Sequence, residues 1–321
     1  MLDDLYFVRG AVSKKEILPA LTHFKISNGR ITGYNGKMCL SSPIAVDLEC
    51  SPRAEPLVRA VAACNDVVQL NLTPTGRLAI KSGKFRSYIE CFGEQFPEVE
   101  PEGDVIQLDG KLLPMLDKLY PIMSDDATRP WASAVRLAGK SAFVTNNILL
   151  VQYWLGFEVP FAINIPRFAV AEMLRIKAEP IKIHVSPTSV TFEYENERWL
   201  RTQLVAAEWP AAEELLDRLP TPTEPLSEKF YYAVRKIEPF VNKLEQVFFT
   251  EGAITTALEE GTSYDYSGLP AKGIYSSSML LLLEGIAETI DFTQYPKPCP
   301  FLGKDVRGAI IGMRPTNVVM K

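Results

Sequence analysis

A chain of 321 residues, 47% hydrophobic and 23% charged, is long enough for two or three domains, each with its own core. Its net charge of −5 excludes a simple basic nucleic-acid binder, but not a protein that gathers its basic residues on one surface. No apolar run reaches the ~18–20 residues of a membrane-crossing helix; the longest, residues 279–286, is interrupted by Glu284 and Gly285.

Taken in order, residues 5–12 read as a strand, and Ser13 as the cap of a short helix over residues 14–22. Residues 24–26, 30–34 and 38–44 read as three strands separated by Asn-Gly turns, which are strong hairpin signals. Residues 55–64 place Leu57, Val58, Val61 and Ala62 at helical spacing. Strands over 67–72, 77–81 and 85–91 follow, and a Pro-rich acidic stretch near 96–103 marks a boundary. Next come a strand at 105–108, a helix over 111–124 and an acidic loop at Asp125 and Asp126.

From Ala134 onward the pattern repeats itself. The run AVRLAGKSAFVTNNILLVQYW, the helix in NIPRFAVAEMLRI and the hairpin in PIKIHVSPTSVTFEYENERWLRTQLV match earlier blocks beginning FKISNGR, AEPLVRAVA and VVQLNLTPTGR. Pro74 falls on Pro187 and Pro97 on Pro210, both 113 positions apart. Each copy holds a strand group, an amphipathic helix, a hairpin with a T/S-P-T turn and a closing aromatic-Pro. A repeat this long is a unit built more than once. Beyond a proline-rich linker at 218–225, a looser third copy offers a helix over 228–242, strands at 246–250 and 253–259, and a Gly/Tyr/Ser loop at 261–268. A strand at 273–275, a helix over 277–289 and a last strand at 308–313 complete it. Three domains, 1–103, 104–217 and 218–321, are expected, each near the usual domain size.

Catalytic chemistry is hard to assemble from this chain. It has two histidines, His23 and His184, and His184 alternates with apolar residues as a structural strand histidine would. No phosphate-binding loop, dinucleotide fingerprint, zinc-protease motif or nucleophile elbow occurs. The paired carboxylates at Asp3–Asp4, Asp125–Asp126 and Glu213–Glu214 fall in termini or loops and read as solvated caps. No catalytic residue, metal site or cofactor is expected. The five cysteines are scattered without a C-x-x-C pair, and the N-terminus has no basic leader, so a reduced cytoplasmic location is expected.

The wording of several blocks goes further than their period. FVTNNILLVQYW, NIPRFAVAEMLRI, IHVSPTSVTFEYENERWLRTQLV and the closing Trp-Pro resemble the middle domain of the bacterial DNA polymerase sliding clamp, the polymerase III beta subunit family. AIIGMRP resembles that family's C-terminal strand. Where the family usually has Thr-Asp-Gly-His-Arg-Leu, this chain has Thr145, Asn146, Asn147, Ile148, Leu149 and Leu150, and six further residues follow Pro315. The resemblance is to a divergent member.

It implies an α+β DNA clamp fold of three domains, each of two strand–helix–strands units, closing as a head-to-tail homodimer into a six-domain ring. It implies a non-enzymatic processivity factor whose partners are double-stranded DNA, a DNA polymerase, a clamp loader and its own second copy, with no membrane. Pore-lining helices would turn Lys14, Lys15, Arg59, Lys111, Lys118, Arg167, Arg175, Lys177, Arg235 and Lys236 toward DNA; scattered, the same residues are an ordinary solvated face. Arg167 is the sharpest case, because the family has a basic residue after the corresponding proline. The family's partner-peptide pocket maps onto Thr145, Leu150, Pro210, Leu215, Ile311, Met313 and Arg314. For Leu150 and Ile311 a plain core role is an equal reading. Glu214 stands where the family commonly has a basic residue. The dimer contact maps loosely onto Ile106, Leu108, Phe240 and Val241. Two other classes stay open: a β-rich structural or assembly protein without DNA sliding, and a nucleic-acid enzyme subunit.

Overall fold

A computed structural model describes residues 1–15, 18–93, 96–108, 112–126 and 128–314. The chain opens not with a strand but with helix α1 (Leu2–Val8), continued by a 3-10 turn at Arg9–Ala11. Leu5, Val8 and Ala11 are buried at a spacing of three, and this helical period overrides the alternation that Leu5 and Phe7 suggest. Asp3 and Asp4 favour the helix start, and Asp4 is held by Arg198 at 2.7 Å and Ser42 at 2.8 Å. The helix expected over 14–22 is only a 3-10 turn at Pro19–Thr22; residues 16 and 17 lie outside the described residues.

β1 (Phe24–Ser27), β2 (Arg30–Tyr34) and β3 (Met38–Pro43) form a meander. Asn28 and Gly29 both have positive φ, 51° and 68°, which is what a two-residue turn matching strand twist requires. α2 (Ala54–Ala62) buries Leu57, Val58 and Val61, and β4 (Gln69–Leu72), β5 (Leu78–Ser82) and β6 (Phe85–Ile89) follow. β7 (Asp104–Gln107) leads to α3 (Leu112–Leu119). The predicted helix ends earlier than expected because Pro121 tightens the chain into a 3-10 turn, Tyr120–Ile122. β8 (Ala134–Thr145) and β9 (Leu149–Pro166) make a long irregular hairpin, then come α4 (Arg167–Ile176), β10 (Lys182–Val185), β11 (Ser189–Glu193) and β12 (Trp199–Gln203).

The remaining chain holds α5 (Ala212–Asp217), α6 (Glu228–Ile237), β13 (Gln246–Thr250), β14 (Ala253–Thr255), β15 (Ser263–Asp265) and β16 (Gly273–Ser276). It closes with α7 (Ser277–Leu281), β17 (Thr289–Ile290), β18 (Cys299–Gly303) and β19 (Val306–Ile310). α6 stops at Ile237 rather than 242, where Pro239 opens another 3-10 turn. α7 is a fragment of the helix expected over 277–289, since the chain turns away at Gly285 with φ of 72°. β15 occupies the expected loop, and β14 is shorter than its predicted run. α5 and β18 are absent from the sequence reading; Pro298 and Pro300 hide the strand pattern of β18.

Contacts divide the chain into two compact units, Met1–Leu113 with Phe168–Leu204, and Pro114–Arg167 with Val205–Lys321. The first contains a seven-stranded sheet ordered β1-β2-β3-β12-β11-β10-β7 and a three-stranded sheet β4-β5-β6. Its core is built on Phe24, Ile26, Ile31, Leu40, Leu57, Ile80 and Phe192, all buried. The second contains a five-stranded sheet ordered β17-β18-β19-β9-β8 and a four-stranded sheet β15-β14-β13-β16. Its core is aromatic: Phe249 lies 5.0 Å from Phe292 and 4.9 Å from Tyr275, ring centre to ring centre, a spacing at which such pairs add ~0.5–1.5 kcal/mol beyond burial.

The sequence repeat is visible in the hairpins. Thr73–Pro74–Thr75 joins β4 to β5 and Ser186–Pro187–Thr188 joins β10 to β11, each closed by a backbone bond across the turn. More telling is how distant blocks join. β3 pairs antiparallel with β12, Leu40 opposite Leu200, and β9 pairs antiparallel with β19, Leu150 opposite Ala309. In each case the strand after an Asn-containing turn, closed through Asn35 or Asn146, accepts the last strand of another block's hairpin group. β6, the last strand of its own hairpin group, ends its sheet, and so does β15, which follows a turn without asparagine.

Candidate functional site

In the second unit a cavity of about 160 Å³ opens between the β8–β9 turn, the start of α5 and the end of β19. The turn is built by its asparagines. The Asn146 side-chain oxygen accepts hydrogen bonds from the Ile148 and Leu149 amides at 3.0 and 2.7 Å, a typical Asn turn. Asn147 adopts φ of 71°, a conformation Asn tolerates better than most residues, and donates its amide to Thr145 Oγ1 at 3.1 Å. This geometry turns Ile148 outward, and the Ile311 amide donates to the Ile148 carbonyl at 2.9 Å. The opposite wall rests on Trp209, packed against Phe143 and Ala212, with Trp131 6.2 Å away in edge-to-face contact.

Five of the seven residues expected at a peptide pocket come together here: Thr145, Leu150, Pro210, Leu215 and Ile311 all line the cavity. Met313 and Arg314 do not. The Met313 amide donates to the Ile274 carbonyl at 2.7 Å and its carbonyl accepts from the Tyr295 hydroxyl at 2.8 Å. Sequence reasoning missed Trp131, Asn147, Ala211, Ala212, Pro298 and Ala309 as lining residues. The Trp131–Trp209 pairing was their one signal, since α5 and β18 had none. No lining residue carries a charge. Leu215 and Ile311 are each 44% exposed and Ile148 37%, so three aliphatic side chains rim the cavity, facing water.

The basic residues separate into two kinds. Lys14, Lys15, Arg59, Lys118 and Lys177 are exposed, as is Lys236, whose ammonium lies 5.2 Å from the centre of the Tyr232 ring. Three arginines are engaged within the fold. Arg167 donates to the Tyr120 and Met123 carbonyls, each at 2.8 Å, pairs with Asp125 at 2.8 Å and stacks on the Tyr120 ring. Arg175 donates to Glu172 and to the Phe7 carbonyl, both at 2.9 Å. Arg235 pairs with Glu284. Lys111 lies outside the described residues. In the first unit a groove of about 770 Å³ gathers Lys14, Arg59 and Arg175 with two arginines the sequence reading did not select, Arg9 and Arg53. Glu55 and Glu172 also line it; Arg9 binds Glu55 at 2.7 Å. Five cationic side chains and two carboxylates thus line it.

Ile106 lies on β7, at the end of the seven-stranded sheet and opposite Ile183, and Leu108 follows it with its amide bonded to the Ile181 carbonyl. Phe240 is 62% exposed in the 3-10 turn after α6, and Val241 is half-buried beside it. His184 is bound to Glu193 at 2.5 Å and His23 to the Pro19 carbonyl at 2.7 Å. Burial pushes the Cys50 thiol up to about 12, with Cys91 nearby adding to the shift, and that of Cys299 to about 11, so neither is an activated nucleophile. Among the described residues no three His, Cys, Asp or Glu side chains group to hold a metal, and no helix is long and apolar enough to cross a membrane.

No protein-family model matches the sequence, and no curated protein matches it. Solved structures do. The chain is similar to the DNA polymerase sliding clamp from Bacillus subtilis, with 17% identity and a TM-score of 0.81. It is similar to the sliding clamp from Caulobacter crescentus, with 19% identity and a TM-score of 0.80. It is also similar to the Helicobacter pylori beta clamp bound to a DNA ligase peptide, with 14% identity and a TM-score of 0.77. Each likeness covers 98% of this chain and 97% of the other. The fold is therefore that of the bacterial sliding clamps, as the resemblance implied.

Proposed function

We propose that this chain is a sliding clamp: a non-enzymatic processivity factor that closes with a second copy around duplex DNA and tethers a polymerase and other partners by short peptides. The observation that carries this is the way its sheets join. Two junctions, β3 with β12 and β9 with β19, follow one rule. A third join of the same kind, without the asparagine turn, would unite β15 with β6, the last strand of its hairpin group, and within one chain both end their sheets. Two copies arranged head to tail satisfy the rule, giving six repeated modules and three domains per chain near 1–103, 104–217 and 218–321. Tyr88 on β6 is 59% exposed and Phe240 62%, apolar surface suited to the core of a stable interface. Phe240 and Val241 remain contact residues in this reading, while β6 replaces Ile106 and Leu108 on the opposing side.

In the first unit Lys14 and Arg59 of the groove, with Lys15 and Lys177, supply sequence-independent phosphate contact, and in the second unit Lys118 and Lys236 do so. Arg167 and Arg235 serve mainly to hold the helices. Topology makes a test. Protein loaded on a nicked circle should stay bound at 0.5 M salt and leave within seconds once the circle is cut, whereas short linear duplex should lose it as salt rises, because phosphate contacts alone weaken steeply with ionic strength. Equal salt sensitivity on circular and linear DNA, after confirmed loading, would count against encirclement.

The apolar cavity of the second unit is the tethering site in this reading. A fluorescent peptide carrying Gln and a Leu-Phe pair should bind at micromolar Kd, roughly −8 kcal/mol. Ile311→Ala should weaken it about tenfold, the loss expected when part of one buried aliphatic contact of ~1.5–3 kcal/mol is removed. Met313→Ala, outside the lining, should change it less than twofold. Equal losses for both variants in a polarisation titration would place the pocket elsewhere.

A further inference from the structure

The charge around the peptide cavity is distributed unevenly. Every lining residue is neutral, so the walls offer an entering peptide no ion pair. The cavity volume, about 160 Å³, is close to that of an engineered apolar cavity of ~150 Å³ that accepts one benzene-sized guest. It therefore takes one side chain fully, and the residues on either side of that anchor must lie over the rim. On one side that rim is α5, whose Ala212 and Leu215 line the cavity while Glu213 and Glu214 between them stand exposed. Glu213 has one weak contact, from the Gln152 amide at 3.5 Å, and Glu214 reaches Arg218 at 3.4 Å with both side chains largely in water. Asp217, one turn on, is neutralised by Arg307 at 2.8 Å. The cation beside a lining residue is Lys297, next to Pro298.

Resting on the tethering reading above, we propose that Glu213 and Glu214 make this pocket selective for peptides that carry lysine or arginine next to a single apolar anchor. The anchor enters the cavity between Leu150, Leu215 and Ile311. The adjacent residue, too polar for the cavity, lies along α5, where a cation is attracted and a carboxylate repelled. Partners with acidic residues beside the anchor are thereby rejected. Each exposed carboxylate contributes little alone, but reversing the peptide charge changes attraction into repulsion at two of them.

Three labelled peptides with the same Gln and Leu-Phe pair, of which one side chain enters the cavity as the anchor and the other lies over the rim, flanked by Lys, Ser or Glu on each side in turn, test this on the full chain. On the wild type at 50 mM salt, the better Lys-flanked peptide should bind about fivefold more tightly than its Glu-flanked counterpart, with Ser between. Glu213→Gln with Glu214→Gln should bring the three within twofold, and 0.5 M salt should do the same to the wild type. Thermal unfolding of the double variant should match the wild type, because both positions are exposed. If Lys- and Glu-flanked peptides bind alike while a Leu→Ala, Phe→Ala anchor peptide binds far more weakly, the selectivity proposal is overturned and the pocket stands. If the anchor substitution has no effect on binding, the tethering reading itself fails. If the preference survives in the double variant, other charges set it and the assignment to α5 is wrong.

Discussion

Tyr88→Asp and Phe240→Asp, each made alone, are expected to convert a dimer into a folded monomer of the 35.8 kDa chain mass. Both side chains are more than half exposed in the single chain, so a carboxylate there costs little in folding. At a closed interface the same carboxylate is buried without a partner, which costs several kcal/mol. A head-to-tail ring of two copies contains that contact twice, so each substitution acts at both junctions. Sedimentation velocity between 0.1 and 10 µM should show wild type at twice the chain mass and both variants at the chain mass, with unaltered circular dichroism. The variants should also lose retention on circular DNA. A wild type that is itself monomeric throughout this range sinks the ring reading.

Gly308→Ala should be strongly damaging in the second unit. Gly308 sits in the middle of β19, opposite Val151 on β9 and Phe301 on β18. A Cβ there would overlap the Leu150 carbonyl oxygen and the Phe301 ring, and the oxygen belongs to the backbone. One of the two neighbouring strands must move, at a cost of about 3 kcal/mol. For a unit of this size that lowers Tm by roughly 6–10 °C. Because Leu150 and Ala309 line the cavity, peptide binding should fall as well. Gly93→Ala, where nothing lies within 4 Å of the new Cβ, is the control and should shift Tm by less than about 2 °C. Calorimetry decides it, and a Gly308→Ala transition at the wild-type temperature would mean the strands relax freely.

Where local pattern and tertiary structure agree, the sequence was readable. The meander β1-β2-β3, the hairpins at Pro74 and Pro187 and helices α2 and α4 fall within a few residues of their predicted bounds. Periodicity failed where two periods competed, as at α1, and where proline disguised a strand, as at β18. The third repeat was readable as an order of elements but not as lengths, since Pro239 and Gly285 shorten its helices in ways no alternation announces. For the cavity, Thr145 at the end of β8, Leu150 on β9, Pro210 and Leu215 before and on α5, and Ile311 just after β19, which the resemblance marked, do converge. Its Pro298 side was invisible because nothing in KPCPFLG, residues 297–303, suggests a strand paired to both β17 and β19. The basic residues show a different limit. A sequence shows that Arg167 carries charge on a helix, but not that Tyr120, Met123 and Asp125 already occupy its donors.

In the proposed ring the sheet junctions would differ in one respect that has nothing to do with side chains. β3 meets β12, and β9 meets β19, inside one polypeptide, so each of these pairs reforms at an effective concentration fixed by the intervening chain, whatever the dilution. The proposed junction of β6 with β15 between copies would have no such tether, so the first of the two to form would answer to bulk concentration. In a ring made of otherwise equivalent joints, connectivity alone therefore decides where the circle parts. A loading machine need only find that joint, and it can be as well packed as the others and still be the gate.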